Sequence, residues 1–221
     1  MALIDYGAGN LTSVRKALTH LGARYDTPAS PAALDRVRGV IVPGVGNFDA
    51  TSALDDAWRR AIADVIDRGG LLLGICLGLQ WLFEGSAEAS GLAGFGAMAG
   101  RCRLIEPPGA GDGPADVDRP GAQGAGQTLK VPHVGWNSLH QTRDSWVLDG
   151  IAEGDQVYFT HSYAAPVTGD CVASTTYGIE FASLVERDRL VGMQFHPEKS
   201  GDVGLRLFRN VLGRMAEAGN G

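Results

Sequence analysis

An uninterrupted apolar run, Leu71-Leu72-Leu73, leads into Gly74-Ile75-Cys76-Leu77-Gly78-Leu79-Gln80. Few architectures accept such a stretch. The run reads as a strand. The chain then turns into a helix with Cys76 at the corner. Small residues on either side let the backbone take a strained turn and let the sulfur stand above the sheet. This is the geometry of a nucleophile elbow with sulfur in place of a serine oxygen. A helix N-terminus behind the sulfur favours its anionic form, which is the reactive one. A lone cysteine in a sheet core is also a common structural residue, so the local pattern leaves both readings open.

The rest of the first half alternates strands and helices. Ala2 to Ile4 and Val40 to Val42 read as strands, with Asn10 as the N-cap of a helix that places Leu11, Val14, Leu18 and Leu21 on one face. A second helix carries Leu54, Ala57, Trp58, Ala61, Ile62, Val65 and Ile66 and ends at Gly69-Gly70. Strand–helix alternation implies parallel strands with right-handed crossovers. Later segments (Val157 to Phe159, Cys171 to Thr176, Phe181 to Glu186, Leu190 to Phe195) have short links and read as antiparallel additions, before a last helix from about Val203 to Met215. The expected fold is α/β: one domain over 1–221 with a mostly parallel central sheet, a flavodoxin-like core, flanked by helices. The stretch 107–126 stands apart, since ten of its twenty residues are Pro or Gly. It buries too little to offset its ordering entropy and is expected to be a flexible surface loop.

A nucleophile needs a base. The strand Leu190–Phe195 ends in His196-Pro197-Glu198-Lys199-Ser200. Proline stops the ladder, leaving His196 at a strand end, the edge where open α/β sheets bind ligands. Glu198, two positions on, can accept the second ring N–H and fix tautomer and orientation. Cys76, His196 and Glu198 thus form a candidate set of nucleophile, base-then-acid and orienting group. A third element, Val42-Pro43-Gly44-Val45-Gly46-Asn47, is a strand running into a glycine turn. Its backbone N–H groups, with the amide of Leu77, make a candidate oxyanion hole. The rival reading is a phosphate loop, but neither this turn nor Asp5-Tyr6-Gly7-Ala8-Gly9-Asn10 has the third glycine of a dinucleotide fingerprint or the Gly-Lys-Ser/Thr of a P-loop.

Composition narrows the classes further. Net charge is −6, against a nucleic-acid binder. Cys76, Cys102 and Cys171 are odd in number and make no C-x-x-C pair, so neither a disulfide framework nor a thiol zinc site is expected, and a reduced, cytoplasmic compartment is. No signal peptide or apolar run of membrane length is visible. No metal or cofactor is called for.

These segments together resemble a known family. Asp5-Tyr6-Gly7-Ala8-Gly9-Asn10-Leu11, Pro43-Gly44-Val45-Gly46-Asn47-Phe48, Gly74-Ile75-Cys76-Leu77-Gly78-Leu79-Gln80, Lys130-Val131-Pro132-His133-Val134-Gly135-Trp136-Asn137, His161-Ser162-Tyr163 and Gln194-Phe195-His196-Pro197-Glu198-Lys199-Ser200 follow one another across nearly the whole chain. The chain is similar to the class I, triad-type glutamine amidotransferases, and within them to the glutaminase subunits of imidazole glycerol phosphate synthase. The resemblance implies that Cys76 attacks the side-chain amide of glutamine, that His196 protonates the ammonia and then activates water, and that Glu198 holds His196. It implies oxyanion donors at Gly44, Val45 and Gly46 after a peptide rotation, a substrate contact at Gln80, and an α-carboxylate site on the backbone of Ser162 and Tyr163. It also implies a (β/α)8-barrel cyclase partner in a heterodimer. That partner would receive ammonia and meet Trp136, Asn137 and Tyr158, with Lys130 and His133 as weaker candidates. Relatives usually cross the 107–126 region with less chain. The alternatives are a glutaminase subunit of another synthase, such as one for anthranilate or aminodeoxychorismate, a stand-alone cysteine hydrolase, and a non-catalytic binding subunit. Trp136-Asn137 and the Asp5-Tyr6-Gly7 opening speak against the first, Gln80 and a partner surface against the second, and the intact triad against the third.

Overall fold

The computed structural model describes residues 1–9, 11–106 and 129–217; the cap expected at Asn10 and the loop expected over 107–126 lie outside them. In chain order the elements are β1 (Ala2–Leu3), α1 (Leu11–His20), β2 (Gly39–Gly44), α2 (Asp56–Asp67), β3 (Leu71–Cys76), α3 (Leu77–Leu82), β4 (Phe83–Ser86) and β5 (Met98–Leu104). They continue as β6 (His133–Ser138), β7 (His140–Gln141), β8 (Gln156–His161), β9 (Tyr163–Ala164), β10 (Cys171–Tyr177), β11 (Ile179–Arg187), β12 (Leu190–Met193) and α4 (Gly201–Glu217).

Seven strands form the main sheet in the order β1-β2-β3-β12-β11-β10-β7. The first four run parallel and the rest antiparallel. The expected fold class is what the structure shows, but the segment from Leu190, expected as an antiparallel addition, is a parallel strand that ends at Met193: it lies parallel to β3 and antiparallel only to β11. Period-two alternation sorts the parallel strands onto two faces. Leu3, Ile41, Leu71, Leu73 and Ile75 pack with Val14 and Leu18 of α1 and Leu207, Phe208 and Val211 of α4. Ala2, Val40, Val42 and Leu72 pack on the other side with Ile62 and Val65 of α2 and Leu79, Trp81 and Leu82 of α3. Helices on both faces explain why every residue of β2 and β3 is buried. In α2, Asp55 caps the N-terminus by accepting from the N–H groups of Ala57 and Trp58, both at 3.0 Å.

Two features lay outside the sequence reading. β4, β5 and β9 make a small separate sheet, and β6 pairs with β8 in a two-stranded ladder beside the main sheet. That ladder ends at the cavity described next.

Candidate active site

Cys76 closes β3 and opens α3 with φ 54° and ψ −103°, a left-handed corner that costs a non-glycine residue about 1–3 kcal/mol. The packing that holds it explains the flanking glycines. A Cβ at Gly74 would stand 2.5 Å from the Gly78 carbonyl oxygen, and a Cβ at Gly78 would overlap the Val42 carbonyl oxygen. Helix and strand therefore approach with bare backbone on both sides of the cysteine, which is why the run reads Gly-Ile-Cys-Leu-Gly.

β12 lies parallel beside β3 with Met193 opposite Ile75, so the chain leaving β12 passes the sulfur. Gln194 Nε2 lies 3.8 Å from Cys76 Sγ, and the thiol faces the Thr160 carbonyl at 4.0 Å. The backbone of His196 is pinned three times: its N–H donates to the Tyr158 carbonyl at 2.9 Å, and its carbonyl accepts from Ser200 Oγ at 2.7 Å and from the Lys199 N–H at 2.9 Å. Ser200 Oγ in turn accepts from the Tyr158 N–H at 2.9 Å. Pro197–Lys199 form a single tight turn that brings Glu198 back, and Glu198 Oε1 lies 2.8 Å from His196 Nδ1. Both side chains are buried, 3% and 2% exposed. His196 Nε2 makes no fully formed hydrogen bond among the described residues, and the Cys76 sulfur is the group it interacts with. Burial alone would disfavour the imidazolium, but Cys76 and Glu198 outweigh it and raise the His196 pKa to about 10.

A cavity of about 270 Å³ opens over the sulfur. Of the residues expected around substrate, Gly46, Leu77, Gln80, Ser162 and Tyr163 line it together with Cys76. Gly44 and Val45 are not among the residues that line it, although Gly44 is paired in register with Cys76. Gly46 has φ 99°, the turn that redirects the backbone after β2. Gln80 has one side fixed: its Nε2 donates to the Tyr163 carbonyl at 2.7 Å and to Gln194 Oε1 at 3.2 Å.

Four residues at this site escaped the sequence reading of roles. Glu88 lines the cavity with one carboxylate oxygen accepting the Phe48 N–H at 2.8 Å, and its pKa is raised mainly by burial. His161 lines the cavity floor. Gln194 was only part of a motif. The Tyr6 hydroxyl is buried against Gly44, where a Cβ would overlap it, and burial and then Cys76 raise its pKa. An acid twelve residues past the cysteine gives no local signal, because the bond that ties it to the site comes from Phe48, 40 positions earlier.

The expected partner-facing residues separate onto two sides. Trp136 pairs with Tyr158 across the β6–β8 ladder, their rings 6.0 Å apart edge to face, and Lys199 Nζ lies 5.9 Å from the Tyr158 ring centre. Trp136 is 54% exposed, and Val134 and Val131 of the same segment are exposed too. Asn137 turns to the other side, where its amide donates to the Thr176 carbonyl at 3.1 Å and lies 3.4 Å from His133 Nε2. His133 is buried, while Lys130 is exposed and its carbonyl accepts from the Tyr177 hydroxyl.

The family model described as glutamine amidotransferase class-I matches residues 2–213. The imidazole glycerol phosphate synthase subunit HisH of Desulfovibrio desulfuricans is 46% identical, covering 95% of this chain and 92% of its own. That of Geobacillus kaustophilus is 41% identical over the full length of both. The chain belongs to the class-I glutamine amidotransferases, in the family of these HisH subunits. Solved structures agree on the class-I amidotransferase fold at lower identity. A structure titled glutamine amidotransferase superposes with a TM-score of 0.68 at 15% identity, covering 97% of this chain and 98% of that one. The glutaminase domain of Trypanosoma brucei CTPS with bound acivicin gives 0.60 at 17%, covering 98% and 92%. Among the described residues of this amidotransferase, no helix is long and apolar enough to cross a membrane.

Proposed function

We propose that this protein is the glutaminase subunit of an imidazole glycerol phosphate synthase, working through a Cys76–His196–Glu198 triad. The observation that carries the reading is the strained Cys76 corner at the cavity floor, backed by a buried His196–Glu198 pair at 2.8 Å. Cys76 Sγ attacks the carboxamide carbon of glutamine. The oxygen takes the negative charge and faces the backbone N–H groups of the Gly44–Gly46 turn and of Leu77. As the C–N bond breaks, His196 Nε2 delivers its proton to the departing nitrogen, which leaves as ammonia, and a glutamyl thioester remains. Water then loses a proton to His196 as it attacks the thioester. The C–S bond breaks and glutamate leaves. Glu198 keeps Nδ1 protonated and aimed throughout, so that Nε2 is the nitrogen that shuttles.

The cavity suits an amino-acid head group. Glu88 offers a carboxylate to the α-ammonium, the backbone at Ser162 and Tyr163 offers N–H groups to the α-carboxylate, and Gln80 holds the wall between them. The triad consumes no external cofactor. Ammonia passes to a (β/α)8-barrel cyclase in a heterodimer, which makes imidazole glycerol phosphate and an aminoimidazole carboxamide ribotide in histidine biosynthesis, in the cytoplasm. Three of the five large exposed hydrophobic residues among those described are Val131, Val134 and Trp136. Such clustering marks a docking surface, and with Tyr158 it makes the face that meets the barrel. Mixing the protein with the cyclase, glutamine and the ribulosyl formimino ribotide is expected to yield glutamate and imidazole glycerol phosphate in equal amounts. Product formed from ammonium salts but not from glutamine would overturn the reading.

A further inference from the structure

The inner face of the β6–β8 ladder carries two histidines to which the proposed chemistry gives no task. His133 is 2% and His161 6% exposed. Burial, aided in His161 by the neighbouring His133 and His196, lowers their pKa values to about 4 and about 3, so both rings are neutral at pH 7. Neutrality dictates where every proton sits. His161 Nδ1 lies 2.9 Å from the Tyr163 carbonyl oxygen, which can only accept, so that nitrogen carries the proton and Nε2 is a bare acceptor. His133 Nδ1 lies 3.3 Å from that Nε2 and must therefore donate. This leaves His133 Nε2 bare, and the Asn137 amide nitrogen, 3.4 Å away, donates to it. The bonds all point one way, from Asn137 towards the cavity. At the far end the Tyr163 carbonyl also accepts from Gln80 Nε2, which reaches Gln194 Oε1, whose own amide nitrogen faces Cys76 Sγ.

We propose that His133 and His161 are positioning residues for the glutaminase site. Through a one-way row of hydrogen bonds beginning at Asn137, they hold the Tyr163 carbonyl, and with it Gln80 and Gln194, in place around the nucleophile. The inference rests on the glutaminase reading above. It gives Asn137 an inward task on the strand whose outer face carries Trp136. The rival explanation is packing alone, since His133 stacks between Tyr177 at 4.0 Å and Phe159 at 4.8 Å.

Two substitutions separate these explanations because they keep opposite halves of His133. His133→Phe keeps the stacked ring and loses both hydrogen bonds. His133→Gln loses the ring but keeps an acceptor for Asn137 and a donor for His161. With the full-length protein bound to the cyclase, kcat/KM for glutamine is expected to fall about tenfold in His133→Phe and to stay within about threefold of wild type in His133→Gln. The reverse order, or equal loss in both, overturns the proposal. Nitrogen NMR of the wild-type imidazoles decides independently of how the variants fold: both rings are expected as the Nδ1–H tautomer, and an Nε2–H on either overturns the row. A wild-type complex that releases no glutamate sinks the glutaminase reading itself, whereas wild-type turnover matched by His133→Phe sinks the positioning role alone.

Discussion

The elbow and the β6–β8 ladder flank the same cavity, yet they are built on different terms. At the elbow the geometry is local. Two glycines four residues apart, a cysteine midway and a strand that can only be buried leave the backbone one way to turn. In the ladder the chemistry is assembled from a distance: His133 meets His161 across 28 positions, and Asn137 finds a carbonyl at Thr176. Cys76 is held by close backbone packing, which tolerates no added atom at Gly74 or Gly78. The support behind them is held by hydrogen bonds, which can be exchanged one at a time.

That contrast can be attacked where the effects are largest. Cys76→Ala is expected to reduce glutamine turnover in the complex by about 10⁴-fold or more while leaving synthesis from ammonium salts, measured by glutamate release and product formation side by side. His196→Ala should approach that loss, and Glu198→Gln should lose less, because it orients without carrying the proton. Equal losses would make Glu198 a proton carrier.

The packing claim at the elbow predicts an effect on folding. Gly78→Ala pushes a methyl into the Val42 carbonyl and should lower stability by about 3 kcal/mol, read from denaturant midpoints. A neutral result would mean that α3 can back away from β2 and that the corner is not held as described.

On the ladder's outer face, Trp136→Ala should weaken cyclase binding by about 2 kcal/mol, or roughly thirtyfold in Kd, with little change in the rate at which a glutamine-like alkylator labels Cys76 in the isolated chain. Slower labelling without weaker binding would place Trp136 with the elbow instead of the interface.

The most gradual effect, smallest when counted per pH unit, is that of pH. His133 and His161 have depressed pKa values in the folded protein, so the unfolded chain takes up protons that the native one refuses as pH drops below about 6.5. Stability should therefore fall on acidification from that point towards pH 4, with His161 contributing up to about 1.4 kcal/mol per pH unit. His196 acts in the opposite direction. Its raised pKa adds stability that is complete below about pH 6.5 and is lost as pH rises towards 10. Thermal midpoints across pH 4–10 should trace both slopes, with the acid slope shallower in His133→Phe.

Much of this was legible in the residues before any coordinates. The leucine run, the glycine spacing around Cys76 and the proline after His196 are short-range rules, and each specifies backbone geometry with its nearest neighbours alone. They sufficed for a parallel sheet with Cys76 at its edge and His196 beside it. Ala2, Val40 and Leu72 on one face, and Leu3, Ile41 and Leu73 on the other, follow from alternation in the same way.

The tertiary structure decided what depends on which strands lie side by side. Trp136 and Asn137 are adjacent in the chain and point to opposite faces, and the pairing of β6 with β8 sends one to solvent and the other to His133. Glu88 reaches the cavity on the turn that follows β4, tied there by the distant Phe48 N–H, and Gln194 reaches the sulfur because β12 lies against β3. Local sequence dictates dihedral angles and which residues alternate. It does not dictate which distant carbonyl will stand opposite a buried imidazole, and that placement settles the protonation of both ring histidines.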